Sequence, residues 1–253
     1  MAVKIGDIKF IKLLQHKREE LGFYVSKKKI KKEIQKYLHS KIILKPVLTG
    51  NGYTTKYVIL AKGKKYFLKV ANKFAEERIK KVSPMYYGDY VTRLTAESQI
   101  LKLLSLKKLA PRPLLKQNTF LLMDYVNGLP LSTIFADRNI PMRIKMQYLN
   151  RILLIINSLH LSGVIWPDLS PTNILIYEDK FYFIDFELCF NAGVSVDQKI
   201  IYAVNRYIFR LFETKLFYTE EVYASLKEFI SKYPRDIKER LLLVVERFEN
   251  GNS

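Results

Sequence analysis

The chain has only one cysteine, Cys189, in 253 residues. A single cysteine excludes a disulfide within the chain and a zinc site built on several cysteine ligands. It also favours a reducing compartment, so we expect the protein in the cytoplasm. The other proportions, 49% hydrophobic and 26% charged residues, are those of a globular protein with room for one large domain or two lobes.

Long apolar runs are absent as well. None approaches the roughly 18–20 residues that a helix needs to span a bilayer. The first ten residues, MAVKIGDIKF, contain no hydrophobic stretch of the kind found in signal peptides. We therefore expect neither a transmembrane segment nor a signal peptide.

Acidic residues are scarce in the first half of the chain, which carries the whole net charge of +19. Residues 1–45 hold 13 basic and 4 acidic residues, residues 46–130 hold 15 and 5, and residues 131–253 hold 15 of each. A basic surface attracts nucleic acid, anionic membranes or acidic proteins, although lysines can also serve only to keep a surface soluble. The asymmetry makes RNA or a ribonucleoprotein a candidate partner of the basic N-terminal half.

Two short helices are predicted near the N-terminus, over residues 7–21 and 26–38. The second has an N-cap candidate in Ser26 and places Ile30 and Ile34 on one face, while its other faces are nearly all lysine. The two helices could belong to a helix-turn-helix. An arm packed on the main domain is favoured, because a full winged-helix module needs more chain than this.

The pattern then changes to strands. Two segments flank the turn AKGK as in a hairpin, and a helix follows over residues 90–106. Next come a strand over 118–126, a helix over 141–161, a second hairpin with its turn at 178–180, and helices from about 196 to 248. This order predicts an α+β fold, with a small antiparallel sheet and one helix followed by a mainly helical part.

Lys69 lies in the predicted strand KYFLKV, whose two faces are otherwise apolar. A buried ammonium group needs an anion. Glu97 offers one, because it falls on the same helical stripe as Leu94 and Leu101, where a carboxylate is costly unless it is paired. We expect Lys69 and Glu97 to form an ion pair, unless both reach solvent at an edge.

Three polar side chains surround the second predicted hairpin. Asp168 lies ahead of it in the loop IWPDLSPTNILI, Asn173 opens its first strand, and Asp185 closes its second. Pairing of the strands places Asn173 and Asp185 at the same end of the hairpin. Their oxygens suit Mg²⁺, which takes few protein ligands. Asp168 is left as a candidate base, or as a group that orients a hydroxyl nucleophile.

Two glycines, Gly50 and Gly52, lie between predicted strands in the segment LTGNGYTT. Backbone N–H groups in such a turn can approach phosphate oxygens closely, because glycine has no Cβ. Both residues are therefore candidates for nucleotide binding ahead of the strand that carries Lys69.

The order of these parts resembles the protein kinase superfamily over residues 41–212. The glycine segment resembles a reduced glycine-rich loop. The predicted ion pair matches the lysine and glutamate of the superfamily, the loop around Asp168 resembles the catalytic loop, and FIDFE resembles the metal-binding Asp-Phe-Gly segment. The DLS sequence at Asp168 resembles RIO kinases. DLSPTN also resembles lanthionine-synthetase kinase-like domains, and the C-terminal part resembles the small kinase of the KEOPS complex.

This resemblance implies a bilobal kinase-like fold with a basic helical arm over residues 1–40, an N-lobe over 41–126 and a C-lobe over 127–253. It implies ATP and Mg²⁺ as cofactors, with Lys69 on the phosphates and Asp168 as the catalytic aspartate. It also implies Asn173 and Asp185 as metal ligands. The residues implied to line the adenine slot are Met123, at the gatekeeper position, Asp124, Tyr125 and Val126.

Some positions depart from the superfamily pattern. Trp166 and Pro167 stand where the usual loop has His-Arg, and Ser170 replaces a lysine that touches the γ-phosphate. Glu187 replaces the glycine of Asp-Phe-Gly, and no Ala-Pro-Glu motif follows. These departures imply a compact, atypical member whose catalytic loop is charged and regulated differently.

The leading hypothesis is an ATP- and Mg²⁺-dependent phosphotransferase, an atypical kinase acting on Ser or Thr of a protein substrate. A small-molecule kinase of the aminoglycoside or choline type ranks lower, because residues 129–141 leave little room for the helical insertion that such enzymes use for their acceptor. A third hypothesis is an RNA- or ribonucleoprotein-associated module whose ATP site works as a switch.

Overall fold

The computed structural model describes residues 23–47, 55–72, 90–186, 188, 190, 192–214 and 219–250. The chain divides between Tyr125 and Val126 into two compact units, called here the N-terminal and the C-terminal unit. The predicted helix over 7–21 and the glycines Gly50 and Gly52 lie outside the described residues. None of the helices within these ranges has the length and apolar character needed to cross a membrane.

A five-stranded antiparallel sheet forms the framework of the N-terminal unit, in the order β1-β2-β3-β5-β4. Its strands are β1 (Ile43–Pro46), β2 (Thr55–Ala61), β3 (Lys64–Val70), β4 (Pro113–Gln117) and β5 (Phe120–Asp124). Lys62 and Gly63 join β2 to β3 with φ values of 47° and 72°, as a two-residue hairpin turn with two positive φ angles requires. The AKGK hairpin is therefore present. The sequence pattern did not predict β4, which begins at a proline.

Two helices pack in the N-terminal unit, α1 (Lys27–Leu38) and α2 (Tyr90–Leu106). Ser26 caps α1, since its hydroxyl accepts a hydrogen bond from the N–H of Lys29 at 3.3 Å. Ile30 and Ile34 are buried in one core cluster with residues of β2, β3 and β5. The apolar stripe of α1 therefore packs on the sheet, and its lysines face outward.

The C-terminal unit has a small sheet in the order β6-β7-β8 and is otherwise mainly helical. Its strands are β6 (Leu129–Pro130), β7 (Ile174–Tyr177) and β8 (Lys180–Phe183). Its helices are α3 (Leu131–Ala136), α4 (Met142–Leu161), α5 (Val196–Phe212), α6 (Glu220–Ser231) and α7 (Arg235–Asn250). The predicted strands and long helices of this part are thus present, and α7 begins directly after Pro234.

Gly128 allows β6 to lie against β7. A Cβ atom at this position would lie 2.8 Å from the carbonyl oxygen of Ile176, which is closer than van der Waals contact allows. This close approach lets Leu129 and Pro130 pair with Ile176 and Leu175. It closes the small sheet beside the loop that contains Asp168.

His160 is part of the helical core, at the end of α4. Its Nδ1 lies 2.8 Å from the hydroxyl oxygen of Tyr233, with which it shares a hydrogen bond. Burial lowers the pKa of His160 from its ordinary 6.5 to about 4, so the ring is neutral at physiological pH. This placement gives His160 a structural role in the helical core.

Candidate active site

Lys69 and Glu97 form a buried ion pair in the N-terminal unit. The Lys69 Nζ donates a hydrogen bond to Glu97 Oε1 at 2.7 Å, and the two side chains are 3% and 1% exposed. Strand β3 supplies the lysine, next to Leu121 of β5 in the sheet register. Helix α2 supplies the glutamate from the same face that buries Leu94 and Leu101. The pair fixes the ammonium group on a rigid strand, which a loop residue could not do.

The segment from Met123 to Val126 lies at the end of β5 and in the connection that follows. Met123 is buried, whereas the next three residues are only partly covered. The carboxylate oxygen Oδ2 of Asp124 accepts a hydrogen bond from Arg112 Nε at 3.3 Å. The backbone N–H of Asp124 donates to the carbonyl oxygen of Arg112 at 3.0 Å. The Lys65 ammonium lies 5.5 Å from the centre of the Tyr125 ring. The adenine-binding role of this segment stays a prediction.

Asp168 and Asn173 are held together in the C-terminal unit. Asn173 Nδ2 donates to the Asp168 carbonyl oxygen at 2.9 Å and to its Oδ2 at 3.0 Å. A 3-10 turn over Pro171–Asn173 brings Asn173 back toward Asp168. The hydroxyl of Ser170 caps this turn by accepting a hydrogen bond from the backbone N–H of Thr172 at 3.1 Å. Ser170 therefore shapes the loop at the position where the superfamily pattern has a lysine. Because Nδ2 is committed to Asp168, the amide oxygen of Asn173 is the atom left for a ligand.

The β7–β8 hairpin brings Asp185 to Asn173. Ile174 pairs with Phe183, and the N–H of Ile184 donates to the carbonyl oxygen of Asn173 at 2.9 Å. Asp185 has a φ of 68°, in the left-handed region that few residues other than glycine, asparagine and aspartate enter. Aspartate is one of the residues that adopt this conformation, so the chain can turn here shortly after β8. The structure thus brings together the three residues predicted around this hairpin.

Trp166 ties the loop to the segment after Asp185. Its indole is buried and lies against Phe183 edge-to-face at 5.3 Å and against Phe186 at 5.0 Å between ring centres. Phe186 directly follows Asp185 in the sequence. The tryptophan therefore connects the loop to this segment through aromatic contacts. It stands at the position where the superfamily pattern has a histidine.

Arg206 of α5 is a member of this site that the sequence analysis missed. Its Nε and Nη2 donate to Asp168 Oδ1 at 3.2 and 2.9 Å. The arginine is separated from Asp168 by 38 residues, and no motif around it points to the loop. Its only signal in the sequence is its place next to Tyr207, which belongs to the buried face of α5.

The donor set of this site fits a hard divalent cation. Asn173 offers an amide oxygen and Asp185 a carboxylate, both of the oxygen type that Mg²⁺ prefers. In the part of the chain that the structure describes, no cluster of three or more His, Cys, Asp or Glu side chains is suited to a metal. A cation held by two protein oxygens would complete its shell with phosphate and water oxygens, as Mg²⁺ commonly does.

Comparisons with known sequences identify a family and two relatives. A model of the RIO domain matches residues 57–213. The serine/threonine-protein kinase RIM15 of Saccharomyces cerevisiae is 32% identical over 141 residues, 53% of this chain and 7% of that protein. The serine/threonine-protein kinase WAG1 of Arabidopsis thaliana is 32% identical over 111 residues, 41% of this chain and 23% of that protein. The chain thus matches only a small part of the length of either relative.

A solved structure has a similar fold. It is the crystal structure of a mutant form of the PknI kinase domain from Mycobacterium tuberculosis, with a TM-score of 0.52 and 12% identity. The match covers 85% of this chain and 96% of that one, so it confirms the predicted α+β protein-kinase-like fold. Because the RIO domain model matches more than half of the chain, the protein belongs to the RIO domain family and is an atypical member of the protein kinase superfamily.

Proposed function

We propose that the protein transfers the γ-phosphoryl group of ATP to the hydroxyl group of a Ser or Thr side chain in a protein substrate. The observation that carries this proposal is the position of Asp168, whose carboxylate is oriented by Asn173 and Arg206 next to the hairpin that ends at Asp185. Membership of the RIO domain family supports it. The single cysteine is consistent with the cytoplasm as the place where the reaction occurs.

In the N-terminal unit the proposed role falls to Lys69. Its ammonium group, held by Glu97 at 2.7 Å, would bind the α- and β-phosphate oxygens of ATP. Met123, Asp124, Tyr125 and Val126 are proposed to line the adenine slot. The glycines Gly50 and Gly52 are proposed to contact the phosphates through backbone N–H groups.

In the C-terminal unit Asp168 is proposed to orient the acceptor hydroxyl and to accept its proton. The hydroxyl oxygen forms a bond to the γ-phosphorus, the bond to the bridging oxygen breaks, and ADP leaves with the electron pair. Asn173 and Asp185 would hold Mg²⁺, which supplies charge neutralisation on the phosphates when it is bound. The protein contributes mainly by positioning and electrostatic stabilisation.

Two features favour a protein acceptor over a small molecule. Residues 129–141 contain only the two-residue strand β6 and the six-residue helix α3, which is little chain for an acceptor-binding insertion. Two relatives are named serine/threonine-protein kinases, although each matches this chain over only part of its own length.

The acceptor is tested by incubating the protein with Mg²⁺ and γ-labelled ATP, alone and with a cell extract. We expect label on Ser or Thr of protein, identified by phosphoamino-acid analysis. Label confined to RNA or to small molecules would contradict the proposed acceptor. Absence of transfer to every fraction, with ATP bound, would favour a nucleotide-dependent switch instead.

A second candidate function, contact with RNA or a ribonucleoprotein, is favoured by the outer face of α1. Exposed lysines of this helix and of the following segment line a groove in the N-terminal unit. They include Lys29, Lys32, Lys36 and Lys41. Backbone phosphates would bind such a surface with a steep dependence on salt.

This candidate is tested by RNA binding at several salt concentrations. Reversing the charge of Lys29, Lys32 and Lys36, which line the groove, should weaken binding and reduce the salt dependence by about one unit of slope per lost phosphate contact. Binding that is absent, or that does not respond to salt, would exclude it.

A further inference from the structure

The loop that carries Asp168 supplies no cation of its own. Asp168 is the only charged residue between positions 160 and 177, and its neighbours Pro167 and Leu169 are apolar. A carboxylate that must act in a partly buried place needs a partner that fixes its orientation. This partner comes from α5, which is distant in the sequence.

Two nitrogen atoms of Arg206 donate hydrogen bonds to one carboxylate oxygen of Asp168. Nε and Nη2 donate to the same Oδ1, at 3.2 and 2.9 Å, while Asn173 Nδ2 donates to Oδ2 at 3.0 Å. The rotation of an aspartate carboxylate about its last torsion is broad and has no sharp preference. Donors on both oxygens therefore decide which way the carboxylate plane faces, and neither donor does so alone.

Helix α5 is a rigid support for this contact. A capping box between Ser195 and Gln198 fixes its first turn, and Tyr207 and Ile208 bury its inner face in the C-terminal unit. The helix also packs against the 3-10 turn over Pro171–Asn173. The side chain of Arg206 is 34% exposed and that of Asp168 24%, so the pair lies at the surface of the core and not inside it.

We propose that Arg206 is a positioning residue for phosphoryl transfer, which acts by holding the Asp168 carboxylate toward the acceptor hydroxyl. This inference rests on the proposed function, because it assigns to Arg206 a part in that reaction. It also gives a reason why the loop can dispense with the usual charged residues around its aspartate. A misplacement of about 1 Å in a reacting group can lower a rate by about 100-fold, which sets the size of the expected effect.

The test compares Arg206→Ala with Arg210→Ala. Arg210 lies one turn further along α5, is 38% exposed and pairs with Glu213 at 2.6 Å, so its loss removes the same charge from the same helix away from the loop. We expect Arg206→Ala to lower the rate of phosphate transfer from ATP by about 100-fold. Its affinity for ATP, measured by direct binding, and its thermal midpoint should match those of the wild type.

Arg206→Lys is the conservative variant. A lysine restores the positive charge but has only one nitrogen to donate from, so it cannot form both hydrogen bonds to Oδ1. We expect Arg206→Lys to transfer phosphate about tenfold faster than Arg206→Ala, which is a partial recovery of the lost rate. Arg210→Ala should leave the rate, the affinity and the midpoint unchanged.

Two results would overturn the inference. One is a rate for Arg206→Ala equal to that of the wild type. The other is a lost rate that is accompanied by an equal loss of ATP binding or a lower midpoint and is not recovered by lysine, because a merely structural arginine gives that pattern. A wild-type protein that binds ATP but transfers no phosphate would instead contradict the proposed function.

Discussion

Lys69 and Glu97 show how a buried charge constrains both folding and chemistry. Each of these groups would be costly in the core without an ion of opposite sign. The 2.7 Å contact offsets this cost and leaves the ammonium group in one place. Such a pair contributes less to stability than a well-packed apolar pair, and the proposed role of Lys69 as a fixed cation gives a reason for its presence in the core.

The free energies of unfolding of single and double variants should reveal the coupling between Lys69 and Glu97. Lys69→Met and Glu97→Leu should each be destabilising, because each removes the ion that its partner contacts at 2.7 Å. The double variant should be more stable than the sum of the single effects predicts, by about 1–3 kcal/mol. Denaturant unfolding of the four proteins measures this, and strictly additive effects would contradict a coupled pair.

The two residues could be paired from the sequence, whereas Arg206 could not. Lys69 and Glu97 are each a charged residue on an apolar face, and two such residues of opposite sign can satisfy one another. Arg206 lies on a helix edge where an arginine is ordinary. Its contact with Asp168 depends on how α5 packs against the loop, which a single sequence does not specify.

Helix α1 also has features that could be predicted from the sequence and a packing partner that could not. Its apolar stripe and its N-cap at Ser26 were readable from the sequence, and both are present. The surface that covers the stripe was not readable, because it is assembled from strands β2, β3 and β5. The β6–β7 pairing was missed for a similar reason, since it joins residues that are 45 or more positions apart.

Because α1 packs on the sheet, two nearby substitutions in this helix should differ greatly in their effect on the free energy of unfolding. Ile34 is fully buried, so Ile34→Ala should lower the free energy of unfolding by about 2–5 kcal/mol. Lys36, two residues along, is exposed, and Lys36→Ala should change it by less than about 0.5 kcal/mol. Urea unfolding measures both, and similar small effects would mean that α1 contributes little to the core.

The whole molecule should lose stability in mild acid through His160. Its pKa is about 4 in the folded protein and 6.5 when unfolded, so between these values the unfolded chain binds more protons there. The free energy of unfolding therefore falls as the pH is lowered through this window, by about 3 kcal/mol for the full shift.

The contribution of His160 is isolated by comparing variants. Unfolding by urea between pH 7 and 4.5 should show a shallower pH dependence for His160→Gln than for the wild type. His39, exposed at the end of α1, provides the control, and His39→Asn should keep the wild-type slope. Equal slopes for all three proteins would show that His160 does not titrate as a buried, neutral ring.

The central claim is that this RIO-family protein is a phosphotransferase whose reaction depends on the carboxylate at Asp185. Asp185→Asn tests it most directly, because asparagine also tolerates the left-handed backbone at φ 68° and so removes the charge without forcing a change of fold. Asp236→Asn, at an exposed position in the first turn of α7, is the matched control. With γ-labelled ATP and Mg²⁺, we predict that Asp185→Asn lowers transfer by at least about 100-fold at an unchanged thermal midpoint, while Asp236→Asn transfers like the wild type. Transfer by Asp185→Asn at the wild-type rate would contradict the account.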